Sequence, residues 1–132
     1  IQPYRLEMGT KLRVNGSKNL YEFWGDKISS QLNKDLKQQG DNLLINLASV
    51  EYFKSVDRKK LKANVIDVDF KDFSNGQYKV ISFFAKKARG MMSRFIIKNQ
   101  PTDVDELKAF DYEGYYFDAS NSTDQLLAFK RK

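Results

Sequence analysis

The chain has 132 residues, of which 41% are hydrophobic and 14% aromatic, enough to bury one sizeable core in a single domain with no internal boundary. It contains no Cys and no His, which excludes disulfides, zinc fingers, iron–sulfur clusters and nucleophilic triads that need those residues. We therefore expect no metal site and no cofactor.

Neither membrane insertion nor secretion is predicted. No apolar run approaches the roughly 20 residues that span a bilayer, and Arg5 and Glu7 stand where a signal peptide requires apolar residues. The absence of Cys fits a reducing compartment. We expect a cytoplasmic protein without a membrane partner.

Positive charge is concentrated in one segment. The chain carries 23 Lys and Arg against 17 Asp and Glu, a formal net charge of +6. Residues 73–102 contain six Lys and Arg residues and no acidic residue, so the rest of the chain is neutral overall. A local excess of this kind indicates an anionic partner.

The first half of the chain is predicted to contain a strand, a long helix and a second strand. Residues 4–14 alternate apolar and polar side chains, as a strand or hairpin arm does. A helix is expected from Ser17 as N-cap to Gly40 as C-cap, with Gly25 as an internal irregularity. Residues 42–47 form an apolar run typical of a buried strand, and Ser49 is a candidate N-cap for a short helix after it.

The second half begins with a predicted hairpin. Residues 63–70 alternate as a half-buried strand, Asn75 and Gly76 provide the turn, and residues 77–84 form the partner strand. The hairpin runs into a helix at residues 85–101.

Pro101 is expected to end this helix. After it we expect a short helix capped by Thr102 or Asp103, a turn-rich stretch and a closing strand at residues 125–131. The alternation of strands and helices predicts an α+β fold, a mixed sheet with flanking helices.

The helix at residues 85–101 is predicted to have two different faces. At 100° per residue one face carries apolar side chains: Phe84, Ala88, Met91, Met92 and Phe95. The opposite face carries Lys87, Arg94 and Lys98, with Lys86 and Arg89 beside them. These like charges repel one another and no Glu offsets them, whereas a merely solvated helix normally mixes charge signs. We therefore interpret this face as an anion-binding surface, with a solvated face as the alternative.

Other candidate residues lie on the predicted strands. Asn46 lies within an apolar strand, so its amide is expected either to hold neighbouring backbone or to orient a ligand. Ser49 and Lys54 follow that strand, and ligands often bind at such strand ends in α/β sheets. Three carboxylates are expected to face solvent and not to bind a metal: Asp67, Asp69 and Asp72. Three terminal cations are expected to form a solvated tail: Lys130, Arg131 and Lys132.

Two alternatives to a polyanion-binding surface remain open. An enzyme for a small anionic, phosphorylated or nucleotide-like substrate would use Tyr4 or Glu7 to move protons. Its pocket would combine the strand end with the basic helix: Asn46, Ser49, Lys54, Lys87 and Arg94. A purely structural chain would complete the core of a larger protein and expose an apolar patch. The residues favour a non-enzyme over an enzyme.

Several motifs, in order along nearly the whole chain, resemble one family. They are PYRLEMG at 3–9, YEFWGD at 21–26, INLAS with EYFKSV at 45–56, SFFAKKARGMMSRFIIKN at 82–99, and EGYYFD followed by FKR near the end. Together they are similar to the YaaA family of bacterial peroxide-stress proteins. In family members PYRLEMG lies near the middle, so residues 1–132 resemble the C-terminal half.

The resemblance implies a cytoplasmic protein that limits oxidative damage during hydrogen peroxide stress and is linked to lower free intracellular iron. It implies an α+β fold within a larger single domain, whose positively charged cleft binds double-stranded DNA or another polyanion. A helix-hairpin-helix element that contributes to binding would lie upstream, so the N-terminal half of the same protein is an expected partner.

The resemblance also assigns cleft residues to matched positions. The cationic wall would comprise Lys86, Lys87, Arg89 and Arg94, to which the helical wheel adds Lys98. Arg5 and Lys54 lie inside matched motifs and are further candidates for the same cleft. Contacts from such residues go mainly to phosphates, so we expect DNA binding without sequence preference.

Overall fold

The computed structural model of the chain describes Met8, residues 18–40 and residues 42–132. These residues form helices and one open mixed sheet, so the α+β prediction is confirmed. Their contacts divide the chain into two compact units: Ile1–Leu43 with Ala48–Ala63, and Leu44–Leu47 with Asn64–Lys132. The expectation of a single domain stays a prediction. No helix within the described ranges is long and apolar enough to cross a membrane. The strand predicted at residues 4–14 and the cap predicted at Ser17 lie outside the described residues.

The first unit begins with two helices where the sequence predicts one. α1 spans Leu20–Trp24 and α2 spans Lys27–Gln39. Gly25 separates them with a φ of 47°, a left-handed conformation that favours glycine and ends the first helix. Asn19 caps α1, because its Oδ1 accepts a hydrogen bond from the Glu22 N–H at 2.9 Å. The prediction of one continuous helix was therefore wrong.

α2 ends at Gly40, as predicted, and two of its side chains bind the turn at residues 57–60. Gly40 closes the helix with a φ of 71°. The buried Ser29 hydroxyl donates a hydrogen bond to the Asp57 carbonyl at 2.8 Å. Asn33 Nδ2 donates to the Lys60 carbonyl, also at 2.8 Å. These two side chains fix the turn against α2.

The predicted short strand and short helix are both present. β1 spans Leu43–Asn46 and α3 spans Val50–Phe53. Ser49 is the N-cap of α3, since its Oγ accepts a hydrogen bond from the Tyr52 N–H at 3.4 Å. All of β1 is half-buried, so the prediction of a buried strand was wrong.

The second unit is built around the long strand β2, Asn64–Ser74. Alternate β2 side chains are buried, as predicted for a half-buried strand. The sheet order is β1, β2, β5 (Leu126–Arg131) and β4 (Tyr116–Phe117). β2 and β5 pair in parallel, whereas β4 and β5 pair antiparallel. Among the described strands, β1 lies at one end of the sheet order.

A hairpin joins β2 to β3, Gln77–Lys79. Its turn uses Asn75 and Gly76 with φ values of 52° and 81°, as predicted. The partner strand is shorter than predicted, because the next helix, α4, already begins in the apolar run and spans Ser82–Asn99. A short apolar run has no period that distinguishes a strand from a helix.

The last third is irregular, as predicted. Its short helices are 3₁₀ helices at Val104–Ala109, Tyr112–Gly114 and Ala119–Asn121. Asp103 caps the first of them, since its Oδ1 accepts a hydrogen bond from the Asp105 N–H at 2.5 Å. The predicted closing strand is confirmed as β5.

The core of the second unit is aromatic. Phe70 of β2 stacks on Phe129 of β5, with ring centroids 5.4 Å apart. Phe110 and Tyr115 approach the Phe70 ring edge-on at 5.6 and 5.3 Å. All four side chains are almost fully buried. Such pairs add about 0.5–1.5 kcal/mol each beyond the burial of apolar area. They therefore hold the irregular segment that contains Phe110 and Tyr115 against the sheet.

Candidate functional site

One side of α4 is fixed against the sheet. The helix packs on β2 through Ala85, Ala88 and Met92, which are at most 3% exposed. Their three- and four-residue spacing places them in one stripe. Phe95 also turns towards the core, with its ring centroid 5.7 Å from that of Phe110. Because this side is buried, the opposite side of α4 faces outward.

The outward side of α4 carries the predicted cations. Lys86, Lys87, Arg94 and Lys98 are exposed, and Arg89 is half-buried. Among the described residues none of these five cations forms an ion pair with a carboxylate. We call this set of five residues the α4 cations. Their positive charge is therefore available to an external anion.

Two large apolar side chains lie among the α4 cations. Phe83 is 67% exposed and Ile97 is 75% exposed. On the helical wheel they lie on the same side as Lys87 and Arg94. The Lys87 ammonium is 5.3 Å from the centroid of the Phe83 ring, within cation–π range. The outward side of α4 is thus both basic and partly apolar.

The predicted apolar face of α4 was partly wrong. Ala88 and Met92 are buried as expected, but Phe84 is 38% exposed. The exposed Phe83 and Ile97 share one stripe of the helix with Lys87, Gly90 and Arg94, since these positions are three or four residues apart. The outward side of α4 therefore combines cations with Phe83 and Ile97, whereas the helical wheel predicted only cations there.

Small residues separate the α4 cations. A Cβ added at Gly90 would meet no atom within 4 Å, so packing does not require glycine here. The Ser93 hydroxyl donates a hydrogen bond to the Arg89 carbonyl at 3.1 Å, which keeps the Ser93 side chain close to the helix. A ligand backbone can therefore approach α4 closely between Lys87 and Arg94.

The other predicted site residues lie in different parts of the structure. Arg5 is outside the described residues. Ser49 and exposed Lys54 flank α3 in the first unit, whereas Asn46 belongs to the second unit with α4. Asn46 Nδ2 donates a hydrogen bond to Asp67 Oδ1 at 2.8 Å. Its amide therefore binds a side chain, a partner that neither of the two expectations for Asn46 included.

The three carboxylates of β2 do not share one face of the sheet. Asp67 and Asp69 are half-buried on one face, whereas Asp72 is 6% exposed on the other. Within the described ranges, no three acidic residues form a group that would hold a metal ion. The expectation that Asp72 faces solvent was wrong.

Asp72 instead binds two partners inside the second unit. Its carboxylate accepts a hydrogen bond from the Tyr115 hydroxyl at 2.9 Å and another from Arg131 Nε. Arg131 Nη1 also donates to the Glu113 carbonyl at 3.0 Å. Burial, reinforced by the Asp72 hydrogen bond, raises the pKa of Tyr115 well above its ordinary value. Arg131 is thus a structural cation and not part of a solvated tail.

Lys130 also has partners, contrary to the prediction. Its ammonium lies 3.5 Å from Asp118 Oδ2 and 4.8 Å from the centroid of the Tyr78 ring. A hydrogen bond from Asn121 is the main cause that lowers the pKa of Asp118. A hydrogen bond between the Tyr78 and Tyr116 side chains raises the pKa of Tyr116. No sequence signal distinguished these paired cations from the unpaired α4 cations, because their partners are distant in the chain.

Comparison with known proteins identifies the family. The family model for peroxide stress protein YaaA matches residues 1–121. A UPF0246 protein of Aliivibrio fischeri strain MJ11 is 59% identical over 132 residues, which are 100% of this chain and 51% of that protein. A UPF0246 protein of strain ES114 is 58% identical with the same coverage. The chain thus spans about half the length of these curated relatives. It belongs to the peroxide stress protein YaaA family.

Proposed function

We propose that this chain provides a basic surface for non-specific binding of double-stranded DNA, in a protein that limits iron-linked oxidative damage during peroxide stress. The α4 cations are the observation that carries the proposal, because none has a carboxylate partner within the described residues. By contrast, Lys130 and Arg131 in the same unit are both paired. A cluster of unpaired cations on one helix indicates binding of an external polyanion.

The length of the cationic side suits duplex DNA. From Lys86 to Lys98, α4 rises about 18 Å at 1.5 Å per residue. That distance corresponds to about five phosphates along one strand, at about 3.4 Å of helix axis each. The α4 cations are therefore spread over a length of duplex that carries several phosphates. Five such contacts give a slope of about −4.5 when the logarithm of the binding constant is plotted against that of the salt concentration.

Charge reversal of Lys87 and Arg94 tests DNA binding. The variant Lys87→Glu/Arg94→Glu is expected to bind a random-sequence duplex much more weakly in fluorescence anisotropy. Its salt slope is expected to fall to about −2.7 or shallower, because at most three phosphate contacts remain. Its melting temperature is expected to stay unchanged, since both side chains are exposed.

A matched control separates α4 from the net charge. Lys18→Glu/Lys59→Glu changes the net charge by the same amount at exposed positions of the first unit. This control is expected to keep the wild-type salt slope. Equal losses in both double variants, or no loss in the α4 variant, would exclude α4 as the DNA-binding face.

A protein bound along DNA can shield the DNA from oxidative damage even if this chain does not bind iron tightly. The chain has no Cys and no His, which are the usual nitrogen and sulfur ligands of iron. In a plasmid-nicking assay with ferrous iron and hydrogen peroxide, the wild-type protein is expected to reduce strand breaks. The Lys87→Glu/Arg94→Glu variant is expected to lose this protection. Full protection by that variant would separate damage limitation from DNA binding.

The exposed apolar residues favour a second role for α4, an interface with the remaining half of the full-length protein. Phe83 and Ile97 are more than two-thirds exposed, and Val80 is 52% exposed just before the helix. The chain spans about half the length of its relatives, so the other half is available to cover them. Phe83→Ser/Ile97→Ser is then expected to lower the melting temperature of the full-length protein. If α4 only binds DNA, this variant keeps the wild-type melting temperature.

A further inference from the structure

A cavity in the first unit has the character of a small-molecule site. It has a volume of about 350 Å³ and lies between the C-terminal half of α2 and the segment around Lys62. Its lining includes Lys34, Lys37 and Lys62, together with the apolar Leu36 and Ala63. This volume falls within the range of about 300–1,000 Å³ that is typical of ligand pockets.

The three lysines of this cavity lack the partner that a neighbouring lysine has. Lys60 lies 3.2 Å from Asp26 Oδ2. Within the described part of the chain, none of Lys34, Lys37 and Lys62 forms an ion pair with a carboxylate. Their side chains are exposed, so the cavity is open to solvent and to a ligand from solution.

A pair of hydrogen bonds brings the lysines together. The Asn33 side chain donates from Nδ2 to the Lys60 carbonyl at 2.8 Å. Its Oδ1 accepts a hydrogen bond from the Lys62 N–H at 2.9 Å. The backbone of Lys62 is thereby held against α2, on which Lys34 and Lys37 lie one turn apart. The fold thus places all three lysines at the lining of one cavity.

A purely structural explanation accounts for only part of this arrangement. A lysine in the last turn of a helix is stabilised by the partial negative charge of the helix end, which suffices for Lys37. Lys34 and Lys37 at i and i+3 repel each other, and Lys62 adds a third charge from another segment. An anion between them would offset this repulsion.

We propose that this cavity binds a small phosphorylated molecule with an apolar body, of the nucleoside monophosphate class. The phosphate lies among Lys34, Lys37 and Lys62, whose ammonium groups donate charge-assisted hydrogen bonds to it. The apolar body lies on Leu36 and Ala63. This site is independent of the DNA surface on α4 and contains none of the α4 cations.

Calorimetric titration of the whole chain with AMP, adenosine and inorganic phosphate tests the site. AMP is expected to bind saturably, and adenosine at least about tenfold more weakly, because it lacks the charged group. Inorganic phosphate is expected to compete with AMP. The variant Lys37→Gln/Lys62→Gln is expected to weaken AMP binding by about tenfold or more, because it loses at least one charge-assisted hydrogen bond to the phosphate.

Two controls separate this site from general charge and from DNA binding. Lys59→Gln removes an exposed lysine of the same turn outside the cavity and is expected to leave AMP binding unchanged. Lys87→Glu/Arg94→Glu is expected to retain AMP binding even when DNA binding is lost. The proposal is overturned if AMP does not bind saturably at millimolar concentration, if adenosine binds equally well, or if Lys59→Gln weakens binding as much as the cavity variant. Single Lys37→Gln and Lys62→Gln variants serve if the double variant unfolds.

Discussion

Truncation of Asp72 is expected to be one of the most destabilising single changes in the second unit. Asp72→Ala removes a charge-assisted hydrogen bond from Arg131, worth about 1.5–3 kcal/mol. It also leaves the buried Tyr115 hydroxyl without its acceptor, at a cost of about 1–3 kcal/mol. Arg131 keeps the Glu113 carbonyl and a side chain that is 22% exposed, so its charge is partly compensated. We therefore expect a loss of about 3 kcal/mol, at the lower end for a broken buried ion pair.

Equilibrium urea unfolding measures this loss, provided that the signal comes from the second unit. The chain has one Trp, and Trp24 lies in the first unit. Far-ultraviolet circular dichroism is the better probe, because it also reports β2, β5 and α4. The free energy of unfolding of Asp72→Ala is compared with that of Tyr115→Phe, which keeps the Arg131 pair and is expected to lose about 1 kcal/mol.

The double variant completes the test. If the two residues act through their mutual hydrogen bond, Asp72→Ala/Tyr115→Phe loses less than the sum of the single losses, with a coupling of about 0.5–3 kcal/mol. A loss below about 1 kcal/mol for Asp72→Ala, with an unchanged dependence on urea, would refute the reasoning. Additive losses would refute the direct coupling between Asp72 and Tyr115.

Further predictions concern the helices and the pH dependence. Gly90→Ala is expected to stabilise the protein by up to about 1 kcal/mol, because alanine favours a helix and its Cβ meets no atom within 4 Å. A lower melting temperature of this variant would contradict the absence of a steric clash at position 90. Asn19→Ala is expected to cost about 1 kcal/mol through loss of the α1 cap, and Asn19→Asp to restore most of it, both by urea unfolding. Because folding raises the pKa of Tyr115, the neutral Tyr115 hydroxyl gives its full contribution to stability below its ordinary pKa of 10.0. This contribution is lost as the pH rises above 10.0, where Tyr115 ionises in the unfolded chain first. Tyr115→Phe is therefore expected to show a shallower loss of stability above pH 10 than the wild-type protein, and equal slopes would contradict this.

Local signals in the sequence predicted several elements well. The turn at Asn75 and Gly76 needs positive φ at both positions, and the C-cap at Gly40 needs it at one, so residue type alone indicates them. Ser49 offers a hydroxyl directly before a short amphipathic run, which identified the cap of α3. These features depend on neighbours a few residues away.

Features that depend on distant neighbours were not predicted. Whether Gly25 interrupts a helix or is tolerated within it depends on tertiary packing, and here it interrupts. Asp72 and Arg131 are 59 residues apart, so no local pattern shows that they bind each other. The cavity beside α2 has no local signal either, because Lys62 lies 25 residues or more from Lys34 and Lys37 and is held near α2 by the Asn33 side chain.

The position of β5 in the sheet affects the order in which the second unit can form. β5 is the last strand of this sequence, yet it lies between β2 and β4. The β2–β3 hairpin and α4 are made of neighbouring segments. The parallel partner of β2 is β5, and paired residues of these two strands are 59 positions apart in the sequence. During synthesis, β2 therefore emerges with an unpaired edge and with the Phe70 face incompletely covered. An unpaired edge can pair with strands of other chains, so β2 is a site of aggregation risk until β5 has been made.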